Sequence, residues 1–272
     1  IDATEHHQGL MFAVALESLV KLVALLAVAW FAWDGLQALP AGWQHDIRLD
    51  HLLRPDTLPT GFMAQLLLAF LAMMCLPRQF HVAVVECHDV RQVRQAPIWF
   101  GLYLVLIAVA VLPIASMTLL DPRLAGIHPD TAVLALPLRL GSEPLAMLAF
   151  IGGFSAAAGM VIVASVALST MICNDLVVPL LLRFGRFGQQ PMPRLLLWIR
   201  RCAIMSLALL GYGYYRLLAE FSQLAAVGLL AFSAVAQFAP ALIGGLFWRG
   251  GSKQGVMAGL IAGFAIWLYT LM

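Results

Sequence analysis

The chain reads as an all-α integral membrane protein with seven transmembrane helices. Three observations predict this: seven apolar runs long enough to cross lipid, a composition poor in charge, and connectors alternately rich and poor in Arg and Lys. Of the residues, 62% are hydrophobic and 11% are charged, whereas soluble domains carry roughly 25% charged residues. A water-soluble fold is thereby excluded. A run of about 20 apolar residues spans the hydrocarbon core. Each such run must be helical, because a lone segment in lipid has to satisfy its own backbone hydrogen bonds. One membrane domain covers residues 1–272.

The first span, 10–33, carries Glu17 and Lys21 at i,i+4 with the acid N-terminal to the base, the better order for a pair on one helix. Ionisable residues inside a span are functional candidates by default. The plainer reading is a self-neutralising pair that lets the helix insert, and both readings stand. Either way this intramembrane charge pair faces protein or water, not lipid.

The second span, 61–85, contains Leu76-Pro77-Arg78-Gln79-Phe80-His81 near its inner end. Pro77 removes a backbone donor and frees a carbonyl upstream, while Arg78, Gln79 and His81 bring polar groups to the same level. Transporters commonly build binding sites on helices broken at depth. We therefore read Pro77, Arg78, Gln79 and His81 as a solute-binding or gating element, in preference to a helix end whose Arg snorkels to phosphates.

The third span, 97–120, begins at Pro97 and is apolar almost throughout. The fourth, 144–171 with an extension to 182, is nearly twice as long as the ~30 Å core requires, so it must tilt, break or emerge. A break or close-packing zone is expected in Gly152-Gly153-Phe154-Ser155-Ala156-Ala157-Ala158-Gly159, with an extension beyond Asn174-Asp175 bent by Pro179. The hydroxyl and amide run Ser155, Ser165, Ser169, Thr170 and Asn174 reads by default as packing, with ion coordination as the sharper alternative. The fifth, sixth and seventh spans are 202–218, 224–248 and 255–272; Gln237, followed by Pro240 in the sixth, is open to the same two readings and is counted with the solute-binding or gating candidates.

One set of connectors contains Arg78, Arg91, Arg94, Arg183, Arg186, Arg194, Arg200, Arg201, Arg249 and Lys253. The other holds Arg48, Arg54, Arg123, Arg139 and Arg216 beside Asp34, Asp46, Asp50, Asp56, Asp121, Asp130, Glu143 and Glu220. By the positive-inside rule the first set is cytoplasmic, the N-terminus is inside and Met272 ends outside.

His81, Glu86, Cys87, His88 and Asp89 match no closed zinc pattern, and neighbouring ligands point in different directions around a helix. They read as a solvated helix end, and no metal is expected. His6 and His7, beside Glu5, read as a juxtamembrane surface. Cys75, Cys87, Cys173 and Cys202 form no CxxC and read as reduced thiols. GxSxG, P-loop, GxGxxG and HExxH patterns do not occur, so no catalytic residue is assigned. The basic residues form no aromatic-interleaved patch for nucleic acid.

At these segments the chain resembles the sodium:solute symporter family, and more closely its offshoot in which a symporter-like membrane domain is fused to a bacterial sensor histidine kinase. Leu76 through Glu86, LPRQFHVAVVE, is similar to the kinase-fused branch. The run from Phe154 through Met160-Val161-Ile162-Val163 to Ser169-Thr170-Met171 and Asn174-Asp175-Leu176 resembles the family's eighth core helix. Pro240, Phe247-Trp248-Arg249-Gly250-Gly251 and Gly255, Gly259 and Gly263 resemble the family's ending. The resemblance extends over essentially the whole chain.

The resemblance implies a leucine-transporter-like inverted-repeat fold, of which this chain supplies core helices five to ten plus one. Ile1, with no Met, signal peptide or Arg-rich leader before it, is read accordingly as lying inside a longer chain. The family further implies a multi-pass protein of the bacterial inner membrane, with the lipid bilayer and a small solute such as an amino acid as partners. On the kinase-fused branch it implies two-component signalling, with a kinase domain downstream of Met272 and a response regulator. The competing expectation is a plain sodium- or proton-coupled symporter with no signalling output. In the family, sodium is held partly by neighbouring hydroxyls on the eighth core helix. An ungapped placement from Asp175 backward puts Gly159 and Met160 at those positions, with Ser155 one turn away. A hard cation gains little from a thioether or a hydrogen. Weak sodium dependence is therefore expected, with a proton or no coupling ion as the alternative and no further cofactor.

Overall fold

The computed structural model describes residues 8–39, 60–87, 90–183, 192–218 and 224–271. These residues are helical almost throughout and contain no strand, so the chain is an all-α membrane protein. Among them, six helices are long and apolar enough to cross a membrane; the count reaches seven if two helices bent by 51° are taken as one span. Glu5, His6, His7, Asp46, Arg48, Asp50, Arg54, Asp56, His88, Asp89, Arg186, Glu220 and Met272 lie outside the described residues.

In chain order the helices are α1 (Gln8–Gln37), α2 (Phe62–Cys75), α3 (Pro77–Phe80), α4 (Val90–Leu120), α5 (Ala132–Arg139), α6 (Glu143–Met171), α7 (Val178–Arg183), α8 (Met192–Leu218), α9 (Leu224–Ala236), α10 (Ala239–Phe247) and α11 (Lys253–Leu271). Wider π-helical turns occupy His81–Val85 and Ile172–Val177. The chain forms two compact units, Ile1–Leu58 with Glu86–Ile162, and Pro59–Val85 with Val163–Met272.

In the first unit, Ala24, Val28, Ala32 and Leu36 are buried at every fourth position of α1. Val28, Ala32 and Leu36 belong to one core with Ala110, Ile114 and Met117 of α4. Lipid tails are as apolar as these side chains, so burial alone does little to drive association; small residues that admit close contact do more. Gly35 shows this, since a side chain there would meet the Met117 methyl at 3.0 Å. The connector after α4 carries structure that its composition does not announce. Asp121 caps a 3₁₀ turn at Pro122–Leu124, α5 follows, and Leu124 and Leu136 are fully buried.

In the second unit, α2 starts at Gly61, whose φ of 93° is left-handed and suits glycine. It stops at Leu76, which is extended (φ −64°, ψ 123°) as a residue before proline prefers to be. Pro77 then opens α3 at the first helical position. α2 packs against both α9 and α10. α8 starts at Met192, upstream of the expected start at Cys202. Arg200 and Arg201 lower the local hydropathy, yet arginine is a good helix former and its stem lies along apolar surface; the Arg201 guanidinium stands 5.9 Å from the Trp198 ring.

One local expectation is narrowed and two are corrected. α6 is continuous through Gly152–Gly159, so that zone serves close packing and contains no break. The run Glu143–Leu181 remains one 39-residue span, about 58 Å at 1.5 Å per residue. Its irregularity is the π-helical turn Ile172–Val177, not a bend at Pro179. Pro179 has no N–H for the Asp175 carbonyl and its ring crowds that group, and the widened turn beside it gives the room. Glu86 is not solvated: it is 5% exposed. It follows the π-helical turn His81–Val85, and an extra residue in a turn rotates what comes after it by about 100°.

Candidate functional site

Two polar constellations lie within predicted spans, one in each unit. In the first unit, α1 and α6 run antiparallel and touch through glycine. A side chain on Gly152 would meet Ala24 Cβ at 2.5 Å and the Lys21 Cα at 3.6 Å. Seven residues further along α6, and seven back along α1, the space where Gly159 would carry a side chain is filled by the Glu17 carboxylate. The pair expected on one helix is present: Lys21 Nζ lies 3.6 Å from Glu17 Oε1, with Glu17 11% and Lys21 27% exposed. The structure thus seats the acid of the charge pair on a residue singled out independently as an ion-site position.

The other two ion-site candidates are less engaged. Ser155 is half-buried, and Met160 is 48% exposed. Further along, Ser165 and Ser169 are buried, and the Ser169 hydroxyl donates to the Val166 carbonyl of its own helix (3.0 Å). Asn174 and Asp175 are exposed in the π-helical turn.

In the second unit, the helix breaks where proline predicts. Pro77 offers no N–H to the Met73 carbonyl, and Pro77, Arg78, Gln79 and His81 are all half-buried around the bend. The sixth span is interrupted more gently. Gln237 and Phe238 form tightened turns, their N–H groups donating to Ala234 (3.3 Å) and Val235 (3.0 Å), and Pro240 leaves the Ala236 carbonyl without its helical donor. Gln237 Nε2 donates to the Ser233 carbonyl (3.3 Å). Its Oε1 points at α11, 2.5 Å from where a Gly263 Cβ would stand. Trp267 Nε1 donates to the Ser233 hydroxyl (2.9 Å), which donates to the Leu230 carbonyl (2.8 Å). Phe264 packs edge-on against Phe238 and Trp267.

Ser233, Trp267 and the partner role of Gly263 were not legible beforehand, since one residue of each contact lies on a distant helix. Outside the spans, Asp121 is 3% exposed and held by Arg123 through its backbone N–H (2.9 Å), Nε (3.1 Å) and Nη2 (2.7 Å). That guanidinium keeps the Asp121 carboxyl below the ordinary carboxylate range. Among the described residues no three His, Cys, Asp or Glu side chains gather as metal ligands, and the four cysteines are free thiols.

No protein-family model matches the chain, and no curated protein or solved structure matches it either.

Proposed function

We propose that the chain is the symporter-like membrane sensing and transport module of a bacterial sensor histidine kinase, binding a small solute such as an amino acid. The observation that carries this reading is a pair of interrupted helices in one unit: α2 bends at Leu76-Pro77, and the break between α9 and α10 lies along α2, which packs against both. Interrupted helices expose backbone carbonyls and polar side chains at membrane depth only where these line a cavity or are buried in protein. The likeness to the kinase-fused symporters supports the same reading, with a leucine-transporter-like inverted repeat, seven spans, an inner-membrane location, a cytoplasmic N-terminus, and Arg78 and Gln79 near the solute or its gate.

The test uses the full-length protein reconstituted in lipid and the standard L-amino acids, each radiolabelled. Arg78→Ala and Gln79→Ala are expected to weaken binding of the preferred amino acid, or the downstream phosphorylation response, while insertion is unchanged. Unchanged binding and signalling in both variants remove the segment from the mechanism. Replacing sodium by potassium or choline at constant ionic strength is expected to alter affinity less than tenfold. A tenfold or greater sodium-specific tightening, about 1.4 kcal/mol of coupling, favours the alternative of an ordinary sodium-coupled symporter.

A further inference from the structure

A carboxylate within a span is tolerated when it is both paired and hydrogen-bonded, and Glu17 is only paired. Lys21 stands 3.6 Å from Oε1, beyond hydrogen-bond reach. The carboxylate faces Gly159, which offers no side-chain donor. Lys21 is its only ionic or hydrogen-bonding partner among the described residues. Other titratable groups on the elements around it are few. α6 has none from Pro144 through Ile172. α4 has only Tyr103 between Arg94 and Leu120, its hydroxyl buried with no hydrogen-bond partner among the described residues. α5 has only Arg139, at its end, and α1 otherwise only Asp34, near its far end. Among the described residues of these elements, a change of charge at this contact therefore falls on Glu17 or Lys21.

We propose that Glu17, seated on Gly159 and paired with Lys21, is a proton-binding site that links proton uptake to the packing of α1 against α6. The step is a protonation: the carboxylate gains one proton from water and forms one O–H bond. The gain cancels its attraction for Lys21 and gives the carboxyl a donor it lacks. Both changes act where α1 and α6 meet through glycine, with no side chain between them at Gly152 and the Gly159 notch already full. The inference rests on the symporter-like reading only for the later step that ties this proton to a solute.

The test uses the full-length protein in lipid, with no solute. Difference infrared spectra between high and low pH are expected to contain a carboxylic-acid C=O band that Glu17→Gln lacks. Persistence of the entire titrating band in Glu17→Gln assigns the protons to other carboxyls and overturns the proposal. The link to packing is read from thermal unfolding of Gly159→Ala in two backgrounds. The new methyl collides with the carboxylate, so the substitution lowers the melting temperature alone but not beside Glu17→Ala; equal lowering in both backgrounds overturns the proposal. Should Glu17→Gln fail to fold, Glu17→Gln with Lys21→Gln, which leaves no unpaired charge, replaces it: persistence of the entire titrating band in that double variant is equally fatal. Failure of the symporter reading has a different signature, the absence of amino-acid binding at every pH.

Discussion

The Glu17 and Gln237 sites repeat one geometry with different chemistry. In each, a polar side chain at membrane depth fills the notch left by a glycine on another helix, Gly159 for Glu17 and Gly263 for Gln237. Gln237 is neutral, its amide donates to Ser233, and a chain of donors from Trp267 through Ser233 to Leu230 surrounds it. Glu17 is ionisable and has one partner among the described residues, at 3.6 Å. A neutral group with its donor used is glue between helices; a charge with half of its needs met is a group poised to change state. The same notch therefore serves structure in one unit and chemistry in the other.

The largest effect is expected from separating the charge pair. Lys21→Leu leaves an acid unpaired, a change that costs roughly 3–5 kcal/mol when the pair is buried. Glu17→Leu with Lys21→Leu leaves nothing to neutralise and should restore much of the folded yield, measured as monodisperse protein after extraction. Equal yields for the single and double variants would mean that the two residues face separate aqueous surroundings, and the contrast with Gln237 would collapse.

Asp121 is the useful intermediate case, an acid in the first unit whose needs are met by Arg123. Asp121→Asn is expected to lower stability in thermal or denaturant unfolding, because the bonds from Arg123 lose their charged acceptor. The pH dependence follows from its lowered carboxyl. The stabilisation is full above the ordinary carboxylate range of the unfolded chain and is lost as pH falls through the lower, folded value. Asp121→Asn should flatten the acid limb of the stability curve. An unaltered limb would show that other carboxyls govern acid unfolding.

A smaller effect is expected at the neutral notch. A methyl at Gly263 meets the end of a flexible side chain, so Gln237 gives way and strains its bond to Ser233. Overpacking of this kind costs about 1–3 kcal/mol. Beside Gln237→Ala the same Gly263→Ala should be tolerated. At Gly152 the opposing atom is Ala24 Cβ, fixed to its backbone, so no side-chain rotation offers relief there.

The spans were legible because hydropathy measures directly what lipid selects. The bend at Pro77 was legible because proline's missing N–H is a local property. What escaped was non-local or masked by charge. Arg200 and Arg201 hid the first turns of α8 behind a polar signal, and the burial of Leu136 depends on α5 meeting α1 and α4. The candidate acid and the candidate glycine were both visible, Glu17 by its charge and Gly159 by its place in a small-residue run. Their meeting was not, since no periodicity within one helix states which residue of another will fill its notch. The close-packing half of the expectation for Gly152–Gly159 held and the break did not, because glycine permits a kink but the neighbouring α1 backbone used the space instead.

The smallest expected effect probes the neutral network at its edge. Trp267→Phe removes the N–H that reaches the Ser233 hydroxyl but keeps an aromatic ring to face Phe264. The Ser233 hydroxyl still donates to Leu230, so its proton stays satisfied and only an acceptor site is vacated. Net contributions of single hydrogen bonds cluster near 0.5–1.5 kcal/mol, and a vacated acceptor with its donor role intact belongs at the lower end, about 0.5 kcal/mol. Amino-acid binding by the full-length protein should be unchanged. A loss of stability larger than that of Gly263→Ala, or a loss of binding, would mean that the Ser233 hydroxyl is aligned by Trp267 for a partner other than its own helix. The neutral constellation would then cease to be glue and would stand beside Glu17 as a second site of chemistry.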